Sequence, residues 1–304
     1  MSNYQNNIEK IAQKLGISDK QIAATLKLLD DGATIPFIAR YRKEATGLLD
    51  EVAIAAIRDS ADQFDALDQR RQAIVKSLTE RSLLSAEISA ALEKAESIVQ
   101  LEDIYLPYKQ KKKTRATTAK EAGLEPLAQL IYTFQSQDPV KDAEQYVSSE
   151  KQIDTADDAL KGARDIISEW ISEDRELRKS ARGFWENTGV LESTVIKNKE
   201  ADAQKFRDYF NFQENLKSVP SHRALALLRG EAEDFLRVKV VVDADQFIQR
   251  MEAKFVRRPG KAAEQIKLAV ADAYKRLLAP SMETEVLANL KERADQEAIK
   301  VFAD

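Results

Sequence analysis

The chain has 304 residues, 32% of them charged, and a net charge of −4, so nucleic-acid binding would have to come from local basic patches rather than from overall attraction. The absence of cysteine excludes disulfides and thiolate metal sites and is typical of a cytoplasmic protein, and a single histidine excludes a multi-histidine metal cluster. Only 9 glycines and 7 prolines interrupt the sequence, which predicts a mainly α fold, and no stretch approaches the roughly 18 apolar residues of a membrane span.

The N-terminal segment predicts two short helices joined by a tight turn. Apolar residues recur at helical spacing before Gly16, and Ser18 with Gln21 forms a capping box that begins the second helix. This layout resembles a helix-turn-helix unit. It is either a packing hairpin or a reader of the DNA major groove, for which the second helix offers Lys20, Gln21 and Lys27.

The next stretch, "TIPFIARYRKEATGLLDE" (34–51), predicts a short amphipathic helix that ends at a glycine. Its cations are Arg40, Arg42 and Lys43, and two interpretations of them remain open. They contact nucleic-acid phosphate or a partner, or they form salt bridges that hold neighbouring helices together. The acids available for such bridges are Glu44, Asp50 and Glu51.

A long helix is predicted over much of 48–80, because no glycine or proline interrupts an apolar seam that continues through Phe64. Ser85 can begin a return helix, which completes a helical hairpin.

The densest basic run of the chain follows Tyr105 and Tyr108. Its cations are Lys109, Lys111, Lys112, Lys113 and Arg115. Proline and threonine residues favour a loop, in which lysines can contact phosphates while a tyrosine stacks on a base. A merely solvated loop is an equal alternative.

The rest of the chain predicts helices at 124–134, 139–147 and 156–180, strands at 189–197 and 234–243 with helical segments between them, and helices at 260–279 and 281–302. The predicted fold is therefore a mainly α, multi-subdomain helical scaffold with a small α/β subdomain. The predicted domains are a helix-turn-helix-like unit (1–47), a helical hairpin and bundle (48–186), the α/β subdomain (187–255) and C-terminal helices (256–304).

The sequence shows no clear pattern of catalytic or metal-binding residues. His222 falls in the first turn of a predicted helix, with Ser221 as a cap and no evident acid or nucleophile beside it. Asp243 and Asp245 end a strand and are more typical of a helix cap than of a metal site. We therefore predict no catalytic residue, no metal and no cofactor.

Several segments together resemble one family, the bacterial transcription accessory protein Tex. They are "TIPFIARYRKEATGLLDE" (34–51), "LEDIYLPYKQKKKTRATTAKEAGLEPLA" (101–128), "ARDIISEWISED" (163–174), "KFRDYFNF" (205–212), "VPSHRALALLRGE" (219–231) and "ERADQEAIKVFAD" (292–304). The resemblance covers nearly the whole chain. It implies a relative of a eukaryotic transcription elongation factor that continues into an RNase H-like domain, a helix-hairpin-helix unit and an OB-fold RNA-binding module. Because the last predicted helix runs to Asp304 without a stop signal, we expect an N-terminal portion of such a protein.

The resemblance implies a non-enzymatic scaffold that orients or assists weak, non-specific binding of RNA or DNA. The alternative is a protein-interaction module that docks on RNA polymerase or other transcription components. Neither interpretation involves a membrane.

Overall fold

A computed structural model describes residues 7–109 and 113–303, with side chains through Ala298. These residues form 16 α-helices and a three-stranded antiparallel sheet, so the predicted fold class, mainly α with a small α/β part, is confirmed. The helices are α1 (Ile8–Leu15), α2 (Asp19–Asp30), α3 (Ile35–Tyr41), α4 (Lys43–Thr46), α5 (Glu51–Glu80), α6 (Ala86–Glu93), α7 (Ile98–Tyr105), α8 (Arg115–Glu121), α9 (Glu125–Tyr132), α10 (Pro139–Glu144), α11 (Ala156–Ser172), α12 (Arg175–Thr188), α13 (Ser221–Ala232), α14 (Ala244–Phe255), α15 (Lys261–Asp272) and α16 (Ala279–Ala303). The strands are β1 (Val190–Val195), β2 (Asn211–Asn215) and β3 (Leu236–Val241).

The chain forms two compact units, residues 1–109 (unit 1) and 110–304 (unit 2). The finer division predicted from the sequence, with boundaries after residues 47, 186 and 255, stays a prediction.

Unit 1 is organised along α5, which confirms the long helix predicted from the sequence and continues unbroken through Phe64. The side chain of Asp50 begins this helix by accepting a hydrogen bond from the backbone N–H of Ala53 at 2.7 Å. Near its start, Ile57 and Ala61 are buried against α1 and α2. Farther along, α5 is buried against α6 and α7 through the residues Leu67, Ile74, Leu78, Leu92 and Leu101. Helix α5 therefore packs against α1 and α2 near its start and against α6 and α7 farther along.

The described residues of unit 2 form one large hydrophobic core, which includes the indole of Trp185, a side chain that is 1% exposed. The predicted helix over 156–180 is wrong in one respect, because the chain makes two helices there, α11 and α12. The break falls at Asp174, whose side chain accepts a hydrogen bond from the backbone N–H of Leu177 at 2.7 Å. An aspartate in this position satisfies a free N–H at the start of a new helix, and the chain turns there.

The sheet has the strand order β2-β1-β3, with both pairs antiparallel. Strands β1 and β3 lie where the sequence predicted them, whereas β2 lies in a segment expected to be helical. On the outer edge of β3, two glutamates occupy backbone donors. Glu231 Oε1 accepts from Val238 N at 3.2 Å and Glu283 Oε1 accepts from Val240 N at 2.9 Å.

The C-terminal helices predicted at 260–279 and 281–302 form one continuous helical run that widens into a π turn at Ala273–Leu278. There the backbone N–H of Ala279 bonds to the carbonyl of Tyr274, five residues back. Pro280 follows directly, and its ring cannot donate to, and would collide with, the carbonyl four residues before it. A wider turn is one way in which a helix accommodates such a proline without ending.

Candidate nucleic-acid interface

Helix α3 buries one side and exposes two aromatic rings on the other. Ile38 and Ala39 are buried against Ile54 of α5, which fixes the rotation of the helix. Phe37 and Tyr41, four residues apart, then remain 42% and 71% exposed, with ring centroids 5.4 Å apart. Residues at this spacing lie on the same helix face, so the two rings form one exposed aromatic pair.

The cations of this segment are in different situations. Arg40 Nε lies 3.7 Å from Glu51 Oε1, and both side chains are well exposed, so the pair contributes at most about 1 kcal/mol to stability. The guanidinium carbon of Arg42 lies 5.7 Å from the centroid of the Phe37 ring, within the range of a cation–π contact. Arg42 and Lys43 are exposed, and neither forms an ion pair within the described residues. The predicted salt bridge therefore exists for Arg40, and the other two charges remain accessible.

A fixed turn follows and presents two apolar side chains. Gly47 and Leu48 both have left-handed backbone angles, with φ of 66° and 67°, and the side-chain amide of Gln21 donates to the carbonyls of Thr46 and Gly47 at 3.3 and 3.1 Å. The left-handed region is unfavourable for a leucine by roughly 1–2 kcal/mol. Burial does not offset this cost, because the Leu48 side chain is 77% exposed. The side chain of Val52, in the first turn of α5, is 72% exposed.

We call the four side chains Phe37, Tyr41, Arg42 and Lys43 the aromatic–cation surface. Its two cations were predicted from the sequence as candidate binding residues, whereas Phe37 and Tyr41 were not. The signal for Phe37 was present, because an aromatic pair four residues apart beside arginine and lysine is a pattern that can be searched for.

The tyrosines before the basic run are engaged in unit 1. Tyr105 Oη lies 3.0 Å from Ser77 Oγ, and the Arg70 guanidinium carbon lies 5.7 Å from the Tyr105 ring centroid. The carbonyl of Tyr108 accepts a hydrogen bond from Arg81. Both rings are half-buried against the core that α5 shares with α6 and α7. Their predicted stacking on bases stays a prediction, and the structure gives them a packing role.

The prediction that the basic run is a loop is wrong from Arg115 onward, where α8 begins. The threonines that favoured a loop form a capping box instead: Thr114 Oγ1 accepts from Thr117 N at 3.0 Å, and Thr117 Oγ1 accepts from Thr114 N at 2.7 Å. Lys111 and Lys112 lie outside the described residues.

The described cations of this run differ in their surroundings. Lys109 is exposed, and Lys113 Nζ is 3.9 Å from Glu121 Oε2. Arg115 lies among acids: burial raises the pKa of Asp165, and the charges of Arg276 and Arg115 oppose that rise. In unit 2, therefore, acids partly offset the charges of this run.

The residues considered for enzyme chemistry are placed as follows. His222 is exposed in the first turn of α13, but the predicted cap is wrong, since Pro220 takes the cap position and Ser221 instead donates to Glu297. Asp243 caps α14, as expected, by accepting from Gln246 N at 2.9 Å.

Throughout residues 7–109 and 113–303, no group of three or more histidines or acids is arranged to hold a metal ion. None of the helices described is both long and apolar enough to cross a bilayer.

Comparison with known proteins gives two family matches and a set of longer relatives. The family model "Tex-like protein N-terminal domain" matches residues 5–79, and "Tex central region-like" matches residues 135–302. Similar proteins include "Protein tex" of Bordetella pertussis, 39% identical over 97% of this chain and 39% of its own length, and "Transcriptional accessory protein Tex" of Neisseria gonorrhoeae, 38% identical over 98% and 40%. The human "S1 RNA-binding domain-containing protein 1" is 25% identical over 97% of this chain and 31% of its own length. The chain thus spans about two fifths of the length of the bacterial relatives it matches.

Proposed function

Because this chain belongs to the Tex family of transcription accessory proteins, we propose that it is the helical scaffold part of a cytoplasmic nucleic-acid-binding protein. In this proposal it assists the binding of RNA or DNA and has no catalytic centre of its own. The name of the human relative refers to RNA binding, which supports RNA as the first ligand to test.

The observation that carries the proposal is the aromatic–cation surface. Exposed aromatic rings bind single-stranded nucleic acid by stacking on bases, and each stacked base contributes about 1–3 kcal/mol. Arg42 lies against the Phe37 ring and Lys43 follows it in sequence, and neither is paired with an acid among the residues that the structure describes, so both are available to phosphate groups. Stacking tolerates any base, so we expect binding without sequence preference, with a Kd on the order of 10⁻⁴–10⁻⁶ M at physiological salt.

The basic run is the second element of the proposal. Lys109 and Lys113 are exposed, and with Lys111, Lys112 and Arg115 they would add phosphate contacts that do not read sequence.

A salt titration with a fluorescently labelled single strand tests the proposal. We expect Phe37→Ala or Tyr41→Ala to weaken binding by roughly 5- to 150-fold, the equivalent of 1–3 kcal/mol. Arg42→Gln with Lys43→Gln should lower the salt slope by about 0.7 for each lost contact. The matched control is Leu48→Ser with Val52→Ser, which removes exposed apolar groups of the same segment but no ring and no charge. Unchanged affinity in both the aromatic and the cation variants would contradict the proposal.

A second candidate function is docking on the transcription machinery, and the exposure of Leu48 and Val52 favours it. Exposed apolar residues beside tyrosine and arginine are typical of the centre of a protein interface. The measurement is binding to purified RNA polymerase in nucleic-acid-free buffer. Loss of that complex in Leu48→Ser with Val52→Ser, with oligonucleotide binding retained, would favour docking. The reverse pattern in the aromatic variants would favour nucleic-acid binding.

A further inference from the structure

An open cleft of about 420 Å³ lies in unit 2 where α14 is followed by α15. Residues 256–260, with the sequence Val-Arg-Arg-Pro-Gly, line it together with Ala263, Glu264 and Lys267. Gly260 has a φ of 134°, which is a conformation for glycine, and a side chain built there would meet nothing within 4 Å. The backbone at the mouth of the cleft is therefore open to a ligand.

The lysines around this cleft are each matched by an acid. A paired ammonium group has little charge left to attract an anion, because its partner offsets the field at short range. The three pairs are Lys254 with Asp174, Lys261 with Asp138 at 2.6 Å, and Lys267 with Glu252 at 3.8 Å.

The two arginines of the cleft differ from these lysines. Arg257 and Arg258 are exposed and form no ion pair with any described residue. Arg257 is close enough to Tyr132 to act on it: burial raises the pKa of that phenol, and the positive charge of Arg257 opposes the rise. Among the described residues that line the cleft, Glu264 is the one acid, and it belongs to the first turn of α15.

Two arginines that are consecutive in the sequence and line the same cleft favour a particular ligand. Their planar forks bind two oxygens at once, which fits phosphate better than it fits a spherical anion. We propose that Arg257 and Arg258 bind phosphate groups of a nucleic-acid backbone, independently of the bases. This site lies outside the aromatic–cation surface and rests on the proposed nucleic-acid-binding function.

The test uses the full chain and two labelled single strands of equal length, one normal and one abasic, which keeps the sugar–phosphate chain but has no bases. Arg257→Gln with Arg258→Gln should lower the salt slope by about 1.4, that is 0.7 for each of two contacts, on both strands. At 0.1 M salt this corresponds to roughly 25-fold weaker binding. Arg257→Lys with Arg258→Lys keeps both charges and loses the forks, and we expect an intermediate affinity.

The matched control is Arg207→Gln with Arg237→Gln, because it removes two exposed arginines of unit 2 that do not line the cleft. An equal loss in this control would mean that the effect is general charge and would overturn the proposal, as would no loss in the cleft variant. A cleft variant that loses binding of inorganic phosphate but keeps both strands would overturn the nucleic-acid assignment.

The same experiment separates this proposal from the previous one. Variants of Phe37 and Tyr41 should affect only the normal strand, since stacking needs bases. If those variants have no effect while the cleft variant weakens both strands, the aromatic–cation surface is refuted and the cleft stands.

Discussion

Removing the carboxylate of Glu285 should destabilise unit 2 much more than removing that of Asp295, although both lie on α16. Glu285 is 18% exposed and pairs with Arg182 and, at 3.4 Å, with Arg178, whose side chains are 16% and 10% exposed. Asp295 pairs with Lys291 at 2.5 Å, but those side chains are 43% and 61% exposed. The two carboxylates on α16 therefore differ in burial and in the number of their partners.

Burial determines the expected difference in the free energy of unfolding. Removing one partner of a buried ion pair costs about 3–5 kcal/mol, because the remaining charge loses its compensation away from water. Arg178 also lies 3.4 Å from Ser281 Oγ, so we expect the lower end, about 3 kcal/mol, for Glu285→Ala. An exposed pair four residues apart contributes about 0.3–0.5 kcal/mol, so Asp295→Ala should cost no more than that.

Tryptophan fluorescence isolates the unit concerned, because both tryptophans, Trp170 and Trp185, belong to unit 2. With a urea m value of about 2–3 kcal/mol/M, a loss of 3 kcal/mol lowers the unfolding midpoint by about 1–1.5 M. Glu285→Gln, which keeps the shape and one acceptor, should fall between the wild type and Glu285→Ala. Equal midpoints for Glu285→Ala and Asp295→Ala would refute the reasoning from burial.

Three further predictions concern packing, pH and the basic run. Gly162→Ala should destabilise unit 2 by about 1–3 kcal/mol, since the new Cβ would lie 2.3 Å from Cδ1 of the buried Leu124. Gly183→Ala should instead stabilise the unit by about 0.5–1 kcal/mol, because the new Cβ would meet nothing within 4 Å. The urea unfolding midpoint of each variant, followed by fluorescence, tests whether stability falls in the first and rises in the second. Burial and the charge of Asp68 raise the pKa of Asp65, so the stability that Asp65 contributes is present at low pH and lost as the pH rises through that raised pKa. Asp65→Asn should therefore slow hydrogen exchange of α5 relative to wild type at pH 7 but not at pH 3, and equal slowing at both would contradict this. Replacing the three lysines 111–113 by glutamate should weaken oligonucleotide binding and flatten its salt slope, with almost no change in Tm, and a large fall in Tm would show that these charges stabilise the fold.

Local signals predicted the elements that depend on local interactions. Helix α5 was predictable because its apolar seam is uninterrupted, and strands β1 and β3 because their residues favour extended backbone. Strand β2 was not, since Asn211–Asn215 is mostly polar and is held in place by its pairing with β1. Its conformation is set by a partner that is distant in sequence, and no local pattern reports that.

The candidate interface shows the same limit. Arg40, Arg42 and Lys43 stand out in the sequence, but only the structure shows which of them is paired with an acid. The exposure of Phe37 follows from the burial of Ile38 against Ile54, a contact between two helices. A sequence specifies which side chains a helix carries, whereas their availability to a ligand depends on which face the tertiary packing covers.

The two glutamates at the outer edge of β3 have a consequence for self-association. An unpaired strand edge is a template on which another chain can add a strand, and such additions lead to aggregation. Glu231 and Glu283 already occupy two N–H donors of β3 that an incoming strand would need. A chain carrying Glu283→Ala would free the N–H of Val240, while Glu231 would still occupy that of Val238. The outer edge of the β-prone strand Leu236–Val241 would then become more available for pairing with a neighbouring chain.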